Sequence, residues 1–124
     1  MRLRAVSALL SAFVFSVALL FAQPVTAADP GPVTPEKGKA MIQQKKDLLI
    51  LDVRNPNEFV VTHYPGALNI PVNELEARID EVPKGKPVLV HCGLGMRAMR
   101  AYEILKKKRP DIELLYVIDG TVIF

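Results

Sequence analysis

Three uninterrupted apolar runs divide the middle and end of the chain: Leu48-Leu49-Ile50-Leu51, ending on Asp52, then Val88-Leu89-Val90, then Leu114-Leu115-Tyr116-Val117-Ile118. Runs without alternation suit strands of a parallel sheet covered on both faces. Ala67-Leu68-Asn69-Ile70, after the Pro65-Gly66 turn, reads as a fourth, shorter strand. Helical patterns lie between them. Thr34-Pro35-Glu36 supplies a hydroxyl for an N-cap and a proline for the first helical position, opening a helix that runs to about Lys46. Asn73-x-x-Glu76 has the form of a capping box and predicts a helix presenting Leu75, Ile79 and Val82 on one face. From Arg97 to Lys108, the residues Ala98, Ala101, Tyr102 and Leu105 follow helical spacing until Pro110 enforces a stop. Strands alternating with helices predict a small α/β fold: a doubly wound parallel sheet flanked by helices.

The first residues obey a different rule. Arg2 and Arg4 precede an uncharged, largely apolar stretch from Ala5 to Ala28 that closes on small residues, Val25-Thr26-Ala27-Ala28. A basic start, an apolar centre and a small-residue end read as a secretory signal peptide over residues 1–27, followed by a linker over 28–33 and one domain over 34–124. The alternative is an uncleaved membrane anchor through residues 5–22, because about 18 apolar residues can span a bilayer. The expected location is therefore exported and periplasmic, with membrane contact only if the segment is retained. Asp29-Pro30-Gly31-Pro32 reads as linker because its prolines favour neither a helix nor a ladder.

Composition modifies this little. The chain has 16 basic and 13 acidic residues, and two of the basic ones, Arg2 and Arg4, belong to the leader. The single basic run, Lys106-Lys107-Lys108-Arg109, falls at a helix end where cations suit the dipole, so nucleic-acid binding is not expected. One cysteine cannot form an internal disulfide, which leaves it buried and inert, paired between chains, or chemically used. Two histidines and one cysteine, far apart in sequence, fall short of metal-ligand spacing, and nothing requires a cofactor.

The segment Val90-His91-Cys92-Gly93-Leu94-Gly95-Met96-Arg97 leads from an apolar strand through a glycine turn into a helix. Ligands of parallel sheets bind beyond the carboxyl ends of strands, where Cys92 falls. Gly93 and Gly95 allow the turn to curl with peptide N–H groups inward, and the helix start adds its positive end; such a nest stabilises an anion, here a thiolate. Arg97 adds a fixed charge and a planar donor fork for an oxyanion. The plain alternative is a buried cysteine, an ordinary turn and a surface arginine. Tyrosine phosphatases have a comparable loop, but with one residue more than the four between Cys92 and Arg97 here.

The wider pattern decides between these. Leu51-Asp52-Val53-Arg54-x-x-x-Glu58-Phe59, then His63-Tyr64-Pro65-Gly66-Ala67-Leu68-Asn69-Ile70-Pro71, then the cysteine loop, resembles the rhodanese homology domain in order and spacing, over about Thr34 to Gly120. The exported single-domain format is similar to the phage-shock protein E type. The resemblance implies a thiosulfate sulfurtransferase in which Cys92 accepts sulfane sulfur as a persulfide, with Arg97 beside it. It implies a substrate cradle of Gly93, Leu94, Gly95 and Met96, small sulfur-containing anions as substrates, and cyanide, a thiol or a protein as acceptor. A non-catalytic persulfide carrier or interaction module is the alternative. Asp52, Arg54, Glu58 and His63 are expected to support the structure: Arg54 pairing with Glu58 across a helical turn begun by Asn55-Pro56, Asp52 capping loop amides, His63 bonded within its turn. His91 has a similar reading at its strand end. Thr62, Ala98 and the segment Thr121-Val122-Ile123-Phe124 depart from the family's usual residues, and one sheet face is expected to be thinly covered or packed against a partner.

Overall fold

The computed structural model describes residues 29–122 and Phe124; the signal peptide expected over 1–27 lies outside the described residues. In chain order the elements are β1 (Gly31–Val33), α1 (Pro35–Gln44), β2 (Leu49–Asp52), α2 (Pro56–Phe59), β3 (Leu68–Asn69), two 3₁₀ turns (Val72–Glu74 and Ile79–Glu81), β4 (Val88–His91), α3 (Met96–Lys108) and β5 (Leu115–Ile118). The five strands form one sheet in the order β1-β5-β4-β2-β3, and every pair is parallel. The α/β, doubly wound arrangement expected from the apolar runs is therefore the one observed.

Both faces are covered, which explains the lack of alternation. On one face Leu51, Val88, Val90, Leu115 and Val117 pack against Ala98, Ala101 and Leu105 of α3 and against Leu75 and Val82. On the other, Leu89, Tyr116 and Ile118 meet Val33 and Met41, with Ile42, Leu48 and Val122 at the margin. This second face is the thinner, and α1 sits close on it. A Cβ at Gly38 would come within 2.5 Å of Ile118 Cδ1, so a helix-disfavoured glycine is retained where the helix must approach the sheet. At its start, Thr34 Oγ1 accepts the Lys37 N–H at 3.2 Å, the expected N-cap.

Two segments differ from expectation. Gly31–Val33, read as linker, is an edge strand in register with Tyr116–Ile118 of β5. An edge strand has one unpaired side, and the donorless nitrogen of Pro32 is tolerated there. The segment from Val72 to Val82 forms two tight turns rather than the helix that Asn73-x-x-Glu76 predicts. Arg109 supplies the reason, because its Nη1 donates to the carbonyls of Ile79 at 3.0 Å and Val82 at 2.6 Å. Those acceptors are satisfied from outside, and Asn73 accepts from Arg100 Nη1 at 3.2 Å instead of capping. The expected face is nonetheless the buried one: Leu75 and Val82 are fully buried and Ile79 packs against the same core.

Candidate active site

Asp52 ends β2 and His91 ends the neighbouring β4, where they are paired in register, so the chemistry-bearing residues gather at the carboxyl edge of the sheet. Cys92 follows directly. Its side chain lies on the floor of the turn, and the residue is only 1% exposed. The peptides around it face inward: the Gly95 N–H donates to Sγ at 3.1 Å and the Ala98 N–H at 3.3 Å. Gly95, with φ +107, is the N-cap of α3. An added Cβ there would stand 2.8 Å from the Gly120 nitrogen, so the left-handed backbone and the close approach of the segment after β5 both require glycine. That segment also braces the turn, since the Val122 N–H donates to the Gly93 carbonyl at 3.1 Å.

The expected cradle divides into two parts. Gly95 contributes a peptide donor to the sulfur. Leu94 and Met96 project into solvent, 76% and 84% exposed, and form a rim rather than a lining. The second donor comes from Ala98, one residue beyond the expected cradle. Its signal was available in the sequence, because a helix beginning at residue 96 leaves its first-turn amides without helical partners.

Arg97 is not a free cation over the sulfur. Its Nη1 and Nη2 donate to Glu58 Oε2 and Oε1 at 2.7 and 3.0 Å. The guanidinium holds the Glu58 carboxyl at about 2, well below its ordinary 4.5, helped by the Asn55 amide and opposed by partial burial. Glu58 also closes the capping box of α2 by accepting the Asn55 N–H at 3.0 Å.

The expected Arg54–Glu58 pair is thus corrected. Arg54 turns back to Asp52, with Nε at 3.0 Å from Oδ1 and Nη2 at 2.7 Å from Oδ2. Both residues are buried, and burial favours the closest compensating charge. Asp52 Oδ1 also accepts the Arg54 N–H at 3.0 Å, the loop-capping role expected of it, and Arg54 Nη2 reaches the Thr62 carbonyl at 2.8 Å. Asn69, not singled out in the sequence, stitches β3 to this loop by donating to the carbonyls of Asp52 and Arg54 at 3.0 and 2.9 Å.

Of the histidines, His63 donates from Nδ1 to the Phe59 carbonyl at 2.7 Å and stacks on the Phe59 ring with centroids 3.8 Å apart. That placement is within its own turn. His91 is fully buried beside Cys92, and its Nε2 lies 3.6 Å from Asp52 Oδ2. Burial is the main cause of its lowered pKa, so the neutral ring is favoured. The Phe124 ring covers this corner, 4.6 Å from the Arg54 guanidinium and 5.1 Å from the Tyr64 ring. Among the described residues no cluster of three or more His, Cys, Asp or Glu side chains is arranged to hold a metal ion.

Comparison with known proteins agrees with this geometry. Residues 34–121 match the rhodanese-like domain family. A sulfurtransferase of Allochromatium vinosum is 32% identical over 63 residues, covering 51% of this chain and 59% of the relative. A putative sulfur carrier protein, YrkF, of Bacillus subtilis is 32% identical over 76 residues, covering 61% and 41% respectively. The chain therefore spans about half the length of these curated relatives. The crystal structure of a rhodanese-related protein from Thermoplasma volcanium superposes with a TM-score of 0.60 at 25% identity, covering 72% of this chain and 84% of that one. With its parallel sheet, its six-residue Cys92–Arg97 turn and this match over most of its length, the chain belongs to the rhodanese-like domain family.

Proposed function

We propose that this protein is a sulfurtransferase of the thiosulfate type, moving a sulfane sulfur from thiosulfate or a similar donor to cyanide or a thiol through a Cys92 persulfide. The observation that carries this reading is the convergence of the Gly95 and Ala98 N–H groups on Cys92 Sγ at 3.1 and 3.3 Å. Donors fixed in place before reaction stabilise sulfur anions without reorganising. In the first half-reaction the Cys92 thiolate attacks the outer sulfur of the donor, an S–S bond forms as the donor's S–S bond breaks, and sulfite leaves with the electron pair. In the second, the acceptor attacks the outer sulfur and the thiolate is regenerated. Splitting one displacement into two is the general advantage of a covalent intermediate. Because Cys92 is covered, the crown formed by residues 93–96 must widen to admit reactants.

The sulfurtransferase and sulfur-carrier names of the relatives support sulfur transfer in general. A carrier that receives persulfide from one protein and yields it to another is favoured by the exposed Leu94 and Met96. Steady-state thiosulfate:cyanide turnover tests the enzymatic reading: activity that vanishes in Cys92→Ser supports it, whereas stoichiometric persulfidation without turnover favours the carrier. The reading includes export to the periplasm with loss of residues 1–27, against anchoring through 5–22; the N-terminus of the protein recovered from a periplasmic extract tests it.

A further inference from the structure

Among the described residues, the two arginines of this region are already paired. Arg54 is committed to Asp52, and Arg97 donates both its terminal nitrogens to the Glu58 carboxylate at 2.7 and 3.0 Å. An anion arriving at the mouth meets two closed ion pairs. Among the described residues, the donors aimed at the reacting atom are two peptide N–H groups, those of Gly95 and Ala98. The rim is apolar, because Leu94 and Met96 stand exposed on the turn that holds Cys92. A doubly charged ion such as thiosulfate reaches Cys92 without a free arginine to help it. A donor with one charge on its terminal sulfur and an apolar body fits both the donors and the rim.

We propose that Glu58 is a specificity-determining positioning residue: by holding Arg97 it withholds part of that charge from dianionic donors, so that the site that takes thiosulfate also takes singly charged organic persulfides, RSS⁻. This rests on the sulfur-transfer reading above. The step balances as it stands. The Cys92 thiolate attacks the outer sulfur of RSS⁻, the Cys92 S–S bond forms, the R–S bond to that sulfur breaks, and RS⁻ leaves with the electron pair.

The test compares kcat/KM for thiosulfate and for benzyl persulfide in the natural protein and in Glu58→Gln. Glutamine serves in a capping box as glutamate does, so the substitution removes the charge and keeps the α2 cap. Releasing one positive charge at a partly exposed site should raise thiosulfate kcat/KM by roughly tenfold and leave the singly charged donor nearly unchanged. A thiosulfate-to-persulfide ratio that does not move, or moves the other way, overturns the proposal. Salt provides a second measurement that needs no variant. In the natural protein a compensated Arg97 predicts thiosulfate kcat/KM nearly flat with ionic strength, and a steep fall contradicts it. A persulfidated, otherwise uncharged peptide in place of benzyl persulfide tells a polypeptide body from a small one. Failure of every donor to place sulfur on Cys92 would sink the sulfur-transfer reading itself, a result separate from an unmoved ratio.

Discussion

Arg97 and Glu58 meet across 39 positions of sequence in a two-pronged ion pair, joining the cysteine turn to the helical turn after β2. The side chains are 35% and 36% exposed, so the pair contributes less than its geometry alone implies. Its position matters more. It couples the helix that follows Cys92 to the loop that Asp52 and Arg54 hold in place.

The pair makes stability depend on pH in a defined window. The folded-state pKa of Glu58, about 2, lies below its ordinary 4.5, so its contribution is complete above pH 4.5 and is lost as pH falls toward 2. After allowance for solvent screening this is about 1 kcal/mol. His91 adds a second loss: its pKa is lowered by burial, so stability declines as pH drops below the ordinary histidine value of 6.5. Urea midpoints across this range should fall in two stages, and Glu58→Gln should flatten the lower one.

Gly95→Ala tests the turn. The new Cβ would press on the Gly120 backbone nitrogen at 2.8 Å in a left-handed conformation, costing about 1–3 kcal/mol. The displaced Gly95 N–H would no longer reach Sγ, and sulfur transfer should fall by roughly 10²-fold. Chemical denaturation and steady-state rates measure the two effects separately.

Asp52→Asn leaves the Arg54 guanidinium buried without its counter-charge. Removing one partner of a buried pair typically costs about 3–5 kcal/mol, which is a large share of a small domain's stability. A fall in the urea midpoint of that size is expected, whereas a loss below about 1 kcal/mol, the worth of an exposed pair, would mean that Arg54 finds another partner or reaches water.

The sheet was legible because its strands are buried on both faces and leave continuous apolar runs; Leu49–Asp52, Val88–His91 and Leu115–Ile118 appear within a residue of where those runs place them. The cysteine turn was legible because glycine spacing and a helix start are local features. Charge partners were not. Arg54 and Glu58 have helical spacing, but Asp52 is nearer, buried and already fixed at the strand end, while the partner of Glu58 comes from a helix far along the chain. The capping-box pattern at Asn73 failed for a similar reason, because Arg109, distant in sequence, takes the carbonyls that decide the local turn. The edge strand at Gly31–Val33 was hidden by Pro32, whose cost depends on which side of the strand is paired.

The most direct test of a sulfur-carrying Cys92 is the intact mass of the reduced protein after exposure to thiosulfate or an organic persulfide. One added sulfur atom, removed by cyanide and absent from Cys92→Ser, is the predicted result. A protein that stays folded and never gains that mass with any sulfur donor would contradict the account.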